Sequence, residues 1–164
     1  MWQSIKRNVT WRAIPIAGLV AGTVFLLVNV VLTPLVLEVD STLILRYFAS
    51  LVMGPSVLTD NSALVVGVGI LVHYVLSLLF TLVIAIVVHR WGLIVGLIGG
   101  AILGLAIYGI NLYTFTLFFE WFFAIHSNVL LLSHVLFGAT AGAVYELFDH
   151  YDVPFELEMS DEAV

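Results

Sequence analysis

SALVVGVGILVHYVLSLLFTLVIAIVV (Ser62–Val88) runs for 27 residues without one Asp, Glu, Lys or Arg. At 1.5 Å per helical residue it exceeds the roughly 30 Å hydrocarbon core of a bilayer, so its length and composition point to a membrane-spanning helix. Its only strongly polar members, His73, Ser77 and Thr81, fall at i, i+4 and i+8 and therefore share one helical face. Working outward, three further stretches are long and apolar enough to cross: Ala13–Leu37, Trp91–Phe119 and Val129–Phe148. The whole chain agrees. Of 164 residues 62% are hydrophobic and only 10% charged, with a mean hydropathy of +1.17, against about 45–50% and about 25% in soluble domains. The expectation is an all-α integral membrane protein, a four-helix bundle in one domain over residues 1–148, followed by an acidic tail over 149–164.

Lys6, Arg7 and Arg12 precede the first span and resemble the basic flank of a secretory signal. The apolar run is too long for such a segment, however, and no small-x-small cleavage site follows Pro34, so it reads as a retained span. Arg90 lies in the turn between the second and third spans, while the two opposite loops hold only Arg46. The positive-inside rule then puts both termini in the cytoplasm and the protein in the inner, cytoplasmic membrane. The net charge of −6 comes largely from the tail, where Asp149, Asp152, Glu156, Glu158, Asp161 and Glu162 stand without Lys or Arg. Carboxylates weigh little in orientation, so the tail reads as a solvated cytoplasmic extension. A nucleic-acid partner is not expected. The chain lacks cysteine, which rules out disulfides, thiolate metal sites and Cys nucleophiles.

The connection Glu38–Asn61 is too long for a simple turn. Leu43, Ile44, Leu45, Tyr47, Phe48, Leu51 and Val52 surround Arg46, predicting a short helix in the interface that ends at Gly54-Pro55. The very short turn at His89-Arg90 implies that the second and third spans are antiparallel neighbours. Phe118, Phe119, Trp121, Phe122 and Phe123 read as an aromatic belt at the second outside loop. Gly18-Leu-Val-Ala-Gly22 resembles Gly96-Leu-Ile-Gly-Gly100, a faint sign of two parallel hairpin repeats.

Gly92, Gly96, Gly100 and Gly104 recur every four residues along the third span, and Gly18/Gly22 and Gly138/Gly142 repeat that spacing on the first and fourth. Since lipid tails are as apolar as leucine, close approach at small residues is what holds helices together in a membrane. These glycines fall in the cytoplasmic half, which predicts a bundle narrow inside and wider outside. In the outer half Asn29, His73 and His134 lie at similar heights, about 18–26 Å from the inner boundary, with Tyr108 and Asn111 at or slightly above that level, and Ser77 and Thr81 continue the layer inward.

Several functions fit this polar layer. Asn111, Tyr108 and His134 could pair with Asn29 and His73 as hydrogen-bonded glue between helices. His73 and His134 could instead be the two axial ligands of a b-type haem. A proton or small-solute path through His73, Ser77, Thr81 and His134 is a third reading, although the spans carry no central carboxylate or lysine. Quinone or lipid binding is a fourth. Glu120 and Glu146 sit at the span ends, and His89, His126 and His150 read as ordinary solvated side chains. The sequence has no His-Glu-x-x-His, phosphate loop, nucleophile elbow or paired intramembrane carboxylates, so no catalytic residues, resident metal or enzyme activity are expected.

Asn111-Leu-Tyr113-Thr-Phe115-Thr116, Phe119-Glu-Trp121-Phe122 and Ser133-His134-Val-Leu-Phe137-Gly138, with Tyr145, Val72-His73 and the Ala17–Gly22 segment, resemble a family of small four-span prokaryotic membrane proteins with no assigned activity. The resemblance covers about residues 15–148. This chain departs from it at His126-Ser127, where a basic residue often precedes the asparagine corresponding to Asn128. The resemblance implies four helices with both ends inside, and members tend to accompany respiratory genes. It therefore favours a non-enzymatic accessory subunit, without a cofactor of its own, that packs against other subunits of a larger membrane complex, which by that gene association would be respiratory; self-association is the other association open to it.

Overall fold

The computed structural model describes residues 9–149. Lys6, Arg7, His150 and the acidic tail beyond Asp149 lie outside them. The described residues form five α-helices: α1 (Ala13–Leu37), α2 (Leu43–Met53), α3 (Ala63–Val88), α4 (Leu93–Tyr113) and α5 (Asn128–Asp149), with short 3-10 turns at Pro55–Thr59, Phe115–Leu117 and Glu120–Ile125. Among the described residues there is no strand. Four of the helical segments are long and apolar enough to cross a membrane, and α2 is the shorter apolar helix between the first two. The third span ends earlier as a regular helix than the sequence predicts, at Tyr113 rather than Phe119, and continues as 3-10 turns. The fourth extends to Asp149.

α5 is the central helix. It packs extensively on α4 and on α1, while α3 lies across α1 and carries α2. On α1, Ala13, Ala17, Ala21, Phe25 and Asn29 recur every four residues, and all are buried. This alanine stripe shares one core with Phe137, Ala141 and Tyr145 of α5. Small side chains bring the two helices close, so dispersion contacts rather than loss of water hold them in an apolar solvent.

Glycines do the same between α4 and α5. A Cβ on Gly100 would run into the carbonyl oxygen of Gly138, one on Gly104 into that of His134, and one on Gly142 into that of Gly96. Gly18 and Gly22 face α3 instead, against Leu78, Ser77 and Tyr74. Gly92 does not belong to the expected seam. It has φ +83, begins α4 and has open space around its α-carbon, because with the left-handed Arg90 (φ +62) it turns the chain. A further close approach, at Gly69 against the Leu45 carbonyl of α2, has no counterpart in the sequence reading.

Two other expectations are corrected by packing. Although a short turn joins them, α3 and α4 make little contact with each other. The turn ties only their near ends, and α4 directs its glycines at α5. The predicted short helix is present and ends at Gly54-Pro55, but α2 does not lie free at an interface. It buries Ile44, Leu45, Tyr47, Ala49 and Ser50, and Phe48 meets Phe25 at 6.1 Å between ring centroids. The aromatic segment is only partly a belt. Phe118 and Phe123 are exposed, whereas Phe122 packs edge-on against Tyr47 and the Trp121 Nε1–H donates to Ser50 Oγ at 2.9 Å. This end of the bundle is thus capped by α2 and the aromatic segment; the other is the turn end.

Candidate functional site

The polar layer is arranged around Phe25. His73 of α3 stacks on the phenyl ring at 5.2 Å, and His134 of α5 meets it edge-on at 5.0 Å. The His73 Nε2 lies 2.9 Å from the carbonyl of Gly22, which can only accept, so that nitrogen carries the proton. Ser77 Oγ, 3.2 Å from the same nitrogen, donates to the His73 carbonyl. The His134 Nδ1–H likewise donates to Leu130 O at 2.8 Å, which leaves Nε2 to accept from Asn111 Nδ2 at 3.2 Å. Tyr108 packs its ring on His134 at 5.5 Å.

Not every residue of the expected layer joins it. Asn29 is buried, but its amide donates to Phe25 O within α1 and its oxygen faces Thr33 Oγ1. It does not bridge to either histidine, because an intrahelical carbonyl four residues back is within its reach. Thr81 is fully buried, and its hydroxyl has no partner among the described residues. The chain His73–Ser77 therefore stops before Thr81, and no hydrogen-bonded path through the layer is present among the described residues.

The two histidines do not fit a bis-imidazole haem. Phe25 fills the space between their rings, and both nitrogens of His134 are already engaged. An axial ligand needs a free ring nitrogen aimed at the metal.

At the turn end lies a second polar group that sequence reasoning missed. The Tyr145 hydroxyl accepts from Thr10 N at 3.2 Å and lies 2.9 Å from His89 Nδ1. Asp149 accepts from Thr10 Oγ1 and stands 3.6 Å from His89, and Glu146 Oε2 accepts from Gly92 N at 2.9 Å. His89 and Asp149 are accordingly not solvated: their side chains are only 13% and 9% exposed. The signal was the spacing of Tyr145, Glu146 and Asp149, one apart and then three or four, on one end of a helix. His126 is exposed as expected, stacked on Phe123.

Where α3 and α4 diverge, a recess opens toward the capped end. It measures about 590 Å3, open side included, and is walled by Phe25, Phe48, Phe80, Phe115 and Phe122, with Asn111 and His134 on its lining. A smaller recess beside it shares Phe25, Phe48, Phe80, Asn111 and His134, and adds His73 and Ser77. The widening expected away from the glycine seam corresponds to this wedge at the capped end.

Fold and site together define an all-α bundle of membrane-spanning dimensions with an aromatic, histidine-lined recess in one half. Comparison of the chain with protein-family models, curated proteins and solved structures finds no match.

Proposed function

We propose that this protein is a non-enzymatic subunit of the inner, cytoplasmic membrane, with both termini cytoplasmic, that packs through α4 against other subunits of a larger membrane complex. The observation that carries the reading is the isolation of α4. It packs closely only on α5, leaving Leu93, Ile94, Leu97, Ile98, Ile102 and Leu105 exposed along its other sides. The polar groups of the interior are largely tied to carbonyls of this chain, which suits a building element better than a transport route. The resemblance to the small four-span family, whose members accompany respiratory genes, favours a respiratory assembly as the partner.

The absence of cysteine makes the test clean. Ile98→Cys or Ile102→Cys introduces a single thiol on the exposed side of α4. In native membranes a thiol-reactive photocrosslinker at either position is expected to join the chain to another membrane protein, and mild solubilisation to yield one large particle. Crosslinks only between copies of this chain, with a particle of one to a few copies, would overturn the reading.

A further inference from the structure

The recess between α3 and α4 holds more hydrogen-bonding capacity than the fold uses. Gly22 O fixes the proton of His73 on Nε2, so Nδ1 is a bare acceptor, and it has no partner among the described residues. Asn111 spends one amide hydrogen on His134 Nε2; its second amide hydrogen and its Oδ1 are unengaged. The Tyr108 hydroxyl makes no hydrogen bond among the described residues either. Asn111 lines both adjoining recesses, Tyr108 only the larger, and His73, 3% exposed, only the smaller. In hydrocarbon, unpaired groups of this kind are unfavourable, and a ligand supplying the matching partners would offset that.

The shape of the space narrows the chemistry. The surrounding walls are phenyl rings, suited to the faces and edges of another flat ring. Apolar walls with a few convergent polar groups are the usual make-up of a small-molecule site. The wedge follows from the slight contact between α3 and α4, so a molecule dissolved in the bilayer could enter from the side with its tail left in lipid.

We propose that the two adjoining recesses together bind the head of a quinone-class amphiphile, a flat ring bearing hydroxyl or carbonyl oxygens on an apolar tail, with His73 on the side of the smaller recess accepting from a ring hydroxyl and Asn111 and Tyr108 on the side of the larger contacting the other oxygen. The bare nitrogen of His73 needs a donor, so the reduced, dihydroxy form binds more tightly than the oxidised form. This is a binding site; no electron transfer is assigned to it. It does not depend on α4 docking to a partner.

The test uses the full chain in lipid nanodiscs and equilibrium binding of decylubiquinol, decylubiquinone and decylbenzene, the last sharing ring and tail but lacking every oxygen. Saturable binding of the quinol is expected, with the quinone weaker and decylbenzene weaker by at least about tenfold, the scale of one lost hydrogen bond to a polar group. His73→Phe keeps the ring stack on Phe25 and is expected to remove the preference for quinol. Leu76→Trp, which replaces an apolar lining residue of both recesses with a bulkier ring, is expected to abolish binding, whereas Ile102→Trp on the exposed side of α4 is expected to leave it intact. Equal binding of decylbenzene to the unaltered protein would overturn the proposal even if no variant folded. So would quinol binding that survives Leu76→Trp.

Discussion

Gly138 shows how much one hydrogen atom decides here. Its α-carbon faces Gly100 and Gly104, and a Cβ at this position would strike the Gly100 carbonyl and the Gly104 backbone. Backbone cannot swing aside as a side chain can, so Gly138→Ala must push α4 off α5. The expected loss is about 1–3 kcal/mol or more, the usual cost of overpacking, visible as a lower unfolding midpoint in detergent. Gly109, with nothing within 4 Å of its would-be Cβ, is the control. Gly109→Ala should leave the midpoint unchanged or raise it, since alanine is the better helix former; an equal loss for both variants would show that the α4–α5 contact does not govern these sites. Gly138 belongs to a repeat spotted in the sequence, but the same spacing also drew in Gly92, which sits in a turn. Spacing says that glycines share a helix face; it cannot say where the helix starts or what stands opposite.

At the scale of the element, α2 is the helix whose role was least legible. Its apolar residues announced a short helix, but an amphipathic helix at an interface and one packed onto a bundle share the same pattern. Gly69 and the Trp121–Ser50 bond decide for packing. Trp121→Phe keeps an aromatic, though smaller, ring and removes the donor, so α2 should lose about 1 kcal/mol of hold or somewhat more, read as faster hydrogen exchange of α2 amides with α3 and α4 unchanged. The start of α2 is pinned by Asp40, whose carboxylate accepts from the Thr42 hydroxyl and amide at 2.6 Å each and lies 3.8 Å from Arg46. The Thr42 hydrogen bonds, and more weakly Arg46, hold the Asp40 carboxyl below its usual 3.8. A depressed carboxyl stabilises the fold above its unfolded value and loses that contribution as pH falls through its folded value. The unfolding midpoint of the native chain should therefore exceed that of Asp40→Asn at neutral pH, and the gap should close below about pH 4. A gap unchanged down to pH 2 would mean that the ionised carboxylate contributes nothing.

For the whole molecule, the order of contacts matters more than the order of helices. The chain passes from α3 to α4 through a turn of a few residues, and nearest-neighbour reasoning pairs them. Yet α4 belongs with α5 and α3 with α1 and α2, so the bundle divides where the chain turns back most tightly. That division leaves α4 open on its outer sides and produces the recess. The docking and binding proposals rest on these two faces of one topological fact. The proposals also separate: a crosslinked partner without quinol binding, or the reverse, would assign each face its own fate.

The sequence by itself determined the number of long apolar segments, their limits to within a few residues for three of them, and the presence of a short helix ending at Gly54-Pro55. These follow from composition and length, because a hydrocarbon solvent forces every backbone hydrogen bond into the segment itself. It also placed His73, Tyr108, Asn111 and His134 at one level, since helical rise converts position into height. Only the tertiary structure decided which groups at that level meet. Phe25, an unremarked apolar residue, separates the two histidines. Asn29 turns back on its own helix, and the alanines of α1 rather than its glycines bind α5. Tyr145, Asp149, His89 and Thr10 meet although Thr10 and Tyr145 lie 135 residues apart. Height along a helix is local and legible, whereas the angle around it acquires meaning only once a neighbour is in place.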